Sequence, residues 1–182
     1  RGRHLELSGL YEEALDNYCE LQTVANDRQN KSLLLTALTA QATLRATLTP
    51  VHDVKRGLAL SEQALALARE IGDCPTETRL LWILMHLHVN MGDPEGSVTY
   101  GEEAIYIARK LDLREQLAFT LNDIQTSYLM TGRPEAMWAA SEESRRLWKE
   151  LENKPMLADN LTRAALYLSL IHISEPTRPT PI

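Results

Sequence analysis

Residues 58–73 read LALSEQALALAREIGD, and the stretch returns, altered but without a gap, as VTYGEEAIYIARKLDL at 98–113 and as WAASEESRRLWKELEN at 138–153. The interval is 40 residues both times. Ala64, Ala104 and Ser144 are equivalent small residues; Leu67, Ile107 and Leu147 are equivalent apolar ones, and Ile71, Leu111 and Leu151 follow one turn later. Apolar positions three, four and seven apart share one face of a helix. The segments before them also match, Leu81 with Leu121, Leu84 with Ile124, His88 with Tyr128 and Gly92 with Gly132. Each unit therefore reads as two antiparallel helices, repeated along the chain.

The turns support this division. MGDPEG (91–96) and TGRPEA (131–136) both place Gly after one helix and Pro at the start of the next, the residues that stop and start helices. GLYEEALDNY (9–18) is the same turn again, 83 residues before Gly92, which is two periods plus three. The extra length falls at TLTPVHD (47–53), where Pro50 breaks a helix and Asp53 can cap the next. The pattern predicts helices over 10–26, 31–47, 53–71, 76–91, 94–111, 115–131, 134–151 and 155 to about 167. The fold class expected is all-α, an α-solenoid of roughly 3.5–4 stacked hairpins.

Composition narrows the function classes. The chain has 182 residues, 44% hydrophobic but only 5% aromatic, which suits Ala- and Leu-rich helix packing. Its formal net charge of −6 speaks against direct nucleic-acid binding or an anionic membrane surface, since both need clustered positive charge. Cys19 and Cys74 stand alone, with no paired spacing for a zinc site or a disulfide framework, and free thiols suit a reducing compartment such as the cytoplasm. No apolar run reaches the roughly 18 residues of a membrane span, and no signal peptide is recognisable.

Gly9, Tyr11, Ala14 and Tyr18 in GLYEEALDNY resemble the tetratricopeptide repeat (TPR), in which a small residue, a turn and a helix-packing Ala recur in each hairpin. The resemblance covers most of residues 1–167. Departures occur: the family's first-helix Gly is Met85 or Gln125 here, its packing Ala is Ser97 or Met137, and the period is 40 instead of 34. Longer periods occur in divergent members such as the kinesin light chain type and the repeat regions of large bacterial ATP-dependent regulators and nucleotide cyclases; EQALALAREIGD (62–73) looks most like that last group. The expected packing positions are Ala14, Ala64, Leu84, Gly92, Ala104, Ile124, Gly132 and Ser144.

No catalytic chemistry is legible. The chain lacks a phosphate-binding Gly-rich loop, a GxSxG elbow and an HExxH pair, so neither catalytic residues nor cofactor nor metal are expected. His86 and His88 lie about 200° apart round a helix and cannot chelate one ion; His88, where the next unit has Tyr128, reads as a packed ring. The acid pairs Glu12–Glu13, Glu102–Glu103 and Glu142–Glu143 recur with the repeat and read as a solvated face with partners such as Arg146. Trp138, aligned with Leu58 and Val98, reads as core; Trp148, aligned with Ala68 and Ala108, as a cover for the hairpin end or a neighbouring domain.

The TPR resemblance places the first helices on a concave surface. Carried onto this chain, that surface comprises Arg79, Trp82, His86, Val89 and Asn90 in one unit and Phe119, Asn122, Thr126, Leu129 and Met130 in the next. Independently, Trp82, His86 and Asn90 fall at four-residue steps on one stripe, as do Asn122, Thr126 and Met130. Ring, imidazole and amide along one stripe suit an extended peptide, with Trp as anchor and amides for its backbone; the plainer reading is a solvent face or a contact with a neighbouring repeat.

The end of the chain, LSLIHISEPTRPTPI (168–182), neither continues nor caps the repeat. DNA encoding Leu168–Arg178 resembles the transposon end and adapter of sequencing libraries, so 168–182 is expected to be a non-native, irregular tail on a repeat fragment spanning 1–167; the alternative is a natural Pro-rich tail. The function expected is a peptide- or protein-binding scaffold or sensor module of a larger bacterial signalling or transcription regulator, its partner a protein, a peptide or an adjoining domain of the same chain. The alternatives are the regulatory arm of an ATPase or nucleotide cyclase, or a stand-alone repeat adaptor.

Overall fold

The computed structural model describes residues 1–174. Its elements are α1 (Gly2–Leu7), α2 (Tyr11–Asp27), α3 (Lys31–Ala46), α4 (Val54–Ile71), α5 (Cys74–Asn90), α6 (Pro94–Lys110), α7 (Arg114–Asp123), α8 (Gln125–Met130), α9 (Pro134–Glu150) and α10 (Lys154–Ser174). No strand occurs among the described residues. Consecutive helices pack as hairpins, α1 with α2, α3 with α4, α5 with α6, and α7–α8 with α9. α10 aligns with α5 and α7 as the first helix of a further unit.

The same turn chemistry closes seven of the eight connections if α7–α8 is counted as one helix. Leu10, Asn30, Asp73, Asp93, Leu113, Arg133 and Asn153 each donate their N–H to the carbonyl five residues back, at 2.8–3.0 Å. That bond requires a left-handed residue just before the donor. Gly92 (φ 79°) and Gly132 (φ 69°) supply it without strain, whereas Gln29 (φ 50°), Asp112 (φ 53°) and Glu152 (φ 54°) supply it against the preference of a side chain. The exception is the long α3–α4 connection carrying Pro50. Asn30, Asp53, Asp73 and Asp93 then cap the following helices by accepting from the N–H three residues on.

The second helix of each unit presents a stripe of small buried residues to its neighbours. The stripe is Gly57–Ser61–Ala64–Ala68 in α4 and Ser97–Gly101–Ala104–Ala108 in α6. In α9 it becomes Met137–Ser141–Ser144–Trp148. Of the expected packing positions, Ala14, Ala64, Leu84, Ala104, Ile124 and Ser144 are fully buried, whereas Gly92 and Gly132 are exposed in the turns and serve their backbone conformation instead of packing. Against the stripe lie the large residues of the first helices, such as Leu80, Leu81, Leu84 and Leu87 of α5. Closeness is tight enough that a Cβ on Gly101 would come within 2.5 Å of Ile124 Cδ1.

Three further expectations about the fold need correction. The helix expected over 115–131 is interrupted at Ile124, which stays right-handed (φ −65°, ψ −18°) between α7 and α8. There the buried Gln125 side chain donates to Leu121 O at 3.1 Å, competing for the carbonyl that its own helical N–H would use. The irregular tail expected from Leu168 is helical through Ser174; SLIHIS contains no residue that breaks a helix, and the first Pro comes only at 176. The remainder of the expected tail lies outside the described residues. Trp148 does not cover a hairpin end: it is fully buried, edge-on to Phe119 at 4.8 Å, where α4 and α6 carry Ala. Trp138 is half-buried against the same cluster.

The remaining polar expectations resolve locally. His88 packs on Tyr100 at 4.9 Å, and its Nδ1 meets the capping carboxylate of Asp93 at 2.8 Å. The recurring acids pair mostly between units: Glu103 accepts from Arg69, and Glu143 from Arg109. Glu142 pairs with Arg145, while Arg146 faces Glu150 instead.

Candidate partner-binding face

α5 and α7 bring Arg79, Trp82 and Phe119 together. These three, with Thr78, Glu115, Gln116, Thr120 and Arg3 of α1, line a cavity of about 520 Å³. The lining combines the Trp82 and Phe119 rings with the Arg79, Arg3 and Glu115 side chains. A second cavity of about 680 Å³ adjoins it, sharing Arg3 and Arg79 and running along α2 and α3. A ring pocket with charged edges can seat a large side chain and hold flanking polar groups.

The structure also assigns Trp82 and His86 a partner that the stripe reading missed. Asp123, on α7, accepts from Trp82 Nε1 at 3.0 Å and sits 3.1 Å from His86 Nε2. An ionised carboxylate can only accept, so that ring nitrogen carries a proton. Arg163 of α10 lies 3.6 Å from Asp123 and 2.8 Å from Asp159. One carboxylate therefore joins three successive first helices, α5, α7 and α10. Burial works against ionisation of Asp123, but the hydrogen bond and charge of His86, the charge of Arg163 and the Trp82 N–H outweigh it, and its carboxyl is held below the ordinary range.

Aligned by the period, Ile83, Asp123 and Arg163 occupy one column. Ile83 is buried. Opposite charges 40 residues apart, in a column that holds a buried Ile one unit earlier, are the signal that could have found this contact.

Asn122 departs from its expected role. It is fully buried, donating to Asp159 Oδ2 at 3.0 Å and accepting from Asn160 Nδ2 at 3.1 Å. Its side chain is a tie between α7 and α10 instead of a partner contact: α10 supplies two of its hydrogen-bond partners, and the third is the neighbouring Asp123 Oδ1 at 3.5 Å. Thr126 is half-buried and bonded to the Tyr167 hydroxyl at 2.9 Å. Val89 and Leu129 are half-buried, Asn90 and Met130 exposed. None of these five lines the two cavities.

Among the described residues no three His, Cys, Asp or Glu side chains gather as a metal site requires. No described helix is long and apolar enough to cross a membrane.

No family model and no curated protein matches the chain. Among solved structures it is similar to a helical-repeat class, the TPR-like solenoids. One such structure holds the nearly identical TPR-like repeats of a Podosopora anserina protein described as a kinesin light chain; it superposes with a TM-score of 0.64 at 13% identity, over 95% of this chain and 93% of that one. At that identity the likeness is one of fold. The chain is an α-solenoid of TPR-like hairpins.

Proposed function

We propose that the chain is a protein-interaction module that holds an extended peptide on its concave first-helix face, within a larger bacterial signalling or transcription regulator of the cytoplasm. The observation that carries this reading is the cavity at Arg79, Trp82 and Phe119. A half-buried indole and phenyl ring, backed by a fully packed core and edged by an arginine, form an anchor pocket of the kind that dominates peptide affinity. The segment bound is a partner's peptide or a strand of an adjoining domain of the same chain.

Selection of a random displayed peptide library on the folded array tests the reading. Selected peptides should bind Phe119→Ala and Trp82→Ala arrays at least about tenfold more weakly, or roughly 1.4 kcal/mol, and should bind Tyr106→Ala unchanged. Tyr106 is exposed on the second helix α6 and lines neither concave cavity. Trp82→Phe separates the roles of the indole: it keeps a ring in the pocket and removes only the bond to Asp123. Peptides indifferent to both pocket substitutions would place binding elsewhere.

A further inference from the structure

We propose that the 680 Å³ trough beside the Trp82–Phe119 cavity is a phosphate site, receiving a phosphorylated side chain of the bound peptide. The proposal rests on the concave face being the binding face. Three observations carry it: an unneutralised arginine, a buried hydroxyl with no partner, and acids that are already occupied.

Arg79 borders both cavities, and no carboxylate among the described residues lies within ion-pair distance of it; its guanidinium donates only to Thr43 Oγ1, at 3.3 Å. Arg3, the other shared residue, meets Glu6 through Nη1 at 2.6 Å, which leaves the rest of its planar donor set free. Both guanidinium fields reach the Tyr18 hydroxyl in the trough wall, although burial and the bonded Glu6 outweigh them and push that phenol up to about 12.

The hydroxyls along α3 are not equivalent. Thr36 and Thr43 turn their protons back to carbonyls of their own helix, at 3.0 and 2.8 Å. Thr39, between them, is 7% exposed, lines the trough and has no hydrogen-bond partner. A buried hydroxyl without a partner is costly unless a ligand supplies one.

The two acids in the wall do not repel an anion freely. Glu6 is engaged by Arg3 and by the Tyr18 hydroxyl, and Asp73 by the N–H and hydroxyl of Thr76. Two arginine forks and a hydroxyl offer more donors than a carboxylate can use. They match the three acceptor oxygens and the charge of about −1.5 to −2 of a phosphate monoester.

Fluorescence anisotropy with labelled degenerate peptide pools, centred on phosphothreonine, threonine or aspartate, tests the site. The phosphothreonine pool should bind at least tenfold more tightly than the threonine pool, and Thr39→Val and Arg79→Met should each remove most of that advantage. Trp82→Ala should weaken every pool that binds. Equal binding of all pools, still lost with Trp82→Ala, would overturn the phosphate site and leave the concave binding face standing. An aspartate pool as tight as the phosphothreonine pool would overturn it in favour of a carboxylate. Absence of binding by any pool would overturn both readings.

Discussion

Asp123 joins three first helices through one carboxylate. It receives Trp82 and His86 from one side and Arg163 from the other, so its removal leaves three polar groups without their shared acceptor. Breaking a largely buried charged network costs about 3 kcal/mol, and Asp123→Ala is expected to lower chemical-denaturation stability by that order. The pH dependence follows from the sign of the shift. Because folding depresses the Asp123 carboxyl, its stabilisation is complete above the unfolded value of about 4 and is lost as pH falls through the lower folded value. Melting temperature should therefore drop more steeply below about pH 4 in the wild type than in Asp123→Asn; parallel pH profiles would assign the acid sensitivity to other carboxylates. Trp82 and His86 were legible as one stripe from their four-residue spacing. Asp123 was not, because its column holds Ile83 one unit earlier and only the packing of α7 between α5 and α10 turns a core position into an ionic one.

Among elements, the turns were the most legible and the helix interiors the least. Gly92 and Gly132 announce their turns because an L side chain disfavours their backbone conformation, and Pro94 and Pro134 announce the helices that follow. Asp112 and Glu152 fill the same left-handed position without announcing it. Asp112→Gly and Glu152→Gly are each expected to raise stability by about 0.5–1 kcal/mol, and Gly92→Ala and Gly132→Ala to lower it by about 1 kcal/mol. No atom lies within 4 Å of a Cβ built on either glycine, so thermal melts of these four variants measure backbone strain with little steric contribution. Equal effects of opposite substitutions would show that the turns are not left-handed. The break at Ile124 and the helical course of α10 past Tyr167 escaped the periodic reading for a common reason. Periodicity records which residues share a face, not where a side chain takes a backbone carbonyl or where a helix former runs on beyond the pattern. Leu161 of α10 is 49% exposed although its equivalents Leu81 and Leu121 are buried; among the described residues no second helix packs on that face.

At the scale of the molecule the repeat makes the core continuous. Trp82 and Tyr100 each pack against two neighbouring apolar clusters, one centred on α4 and α5 and the other on α6 to α9, so adjacent units share side chains across their boundary. The same Trp82 lines the cavity at Arg79 and Phe119, so a ligand seated there would touch a side chain that packs at the interface between units. The fold was legible because three segments set 40 residues apart and the turns between them agree; the lining of the cavity was not, because Arg3 reaches it from α1, far away in sequence. Peptide binding at Trp82 is decided by an amide and indole NMR spectrum of the array titrated with a selected peptide, the three indole signals of Trp82, Trp138 and Trp148 being assigned by Trp→Phe substitution. The Trp82 signal should move with the peptide, while those of Trp138 on the half-buried face of α9 and Trp148 in the core stay in place. Saturable peptide binding that leaves the Trp82 signal unmoved would contradict the concave cavity as the binding site.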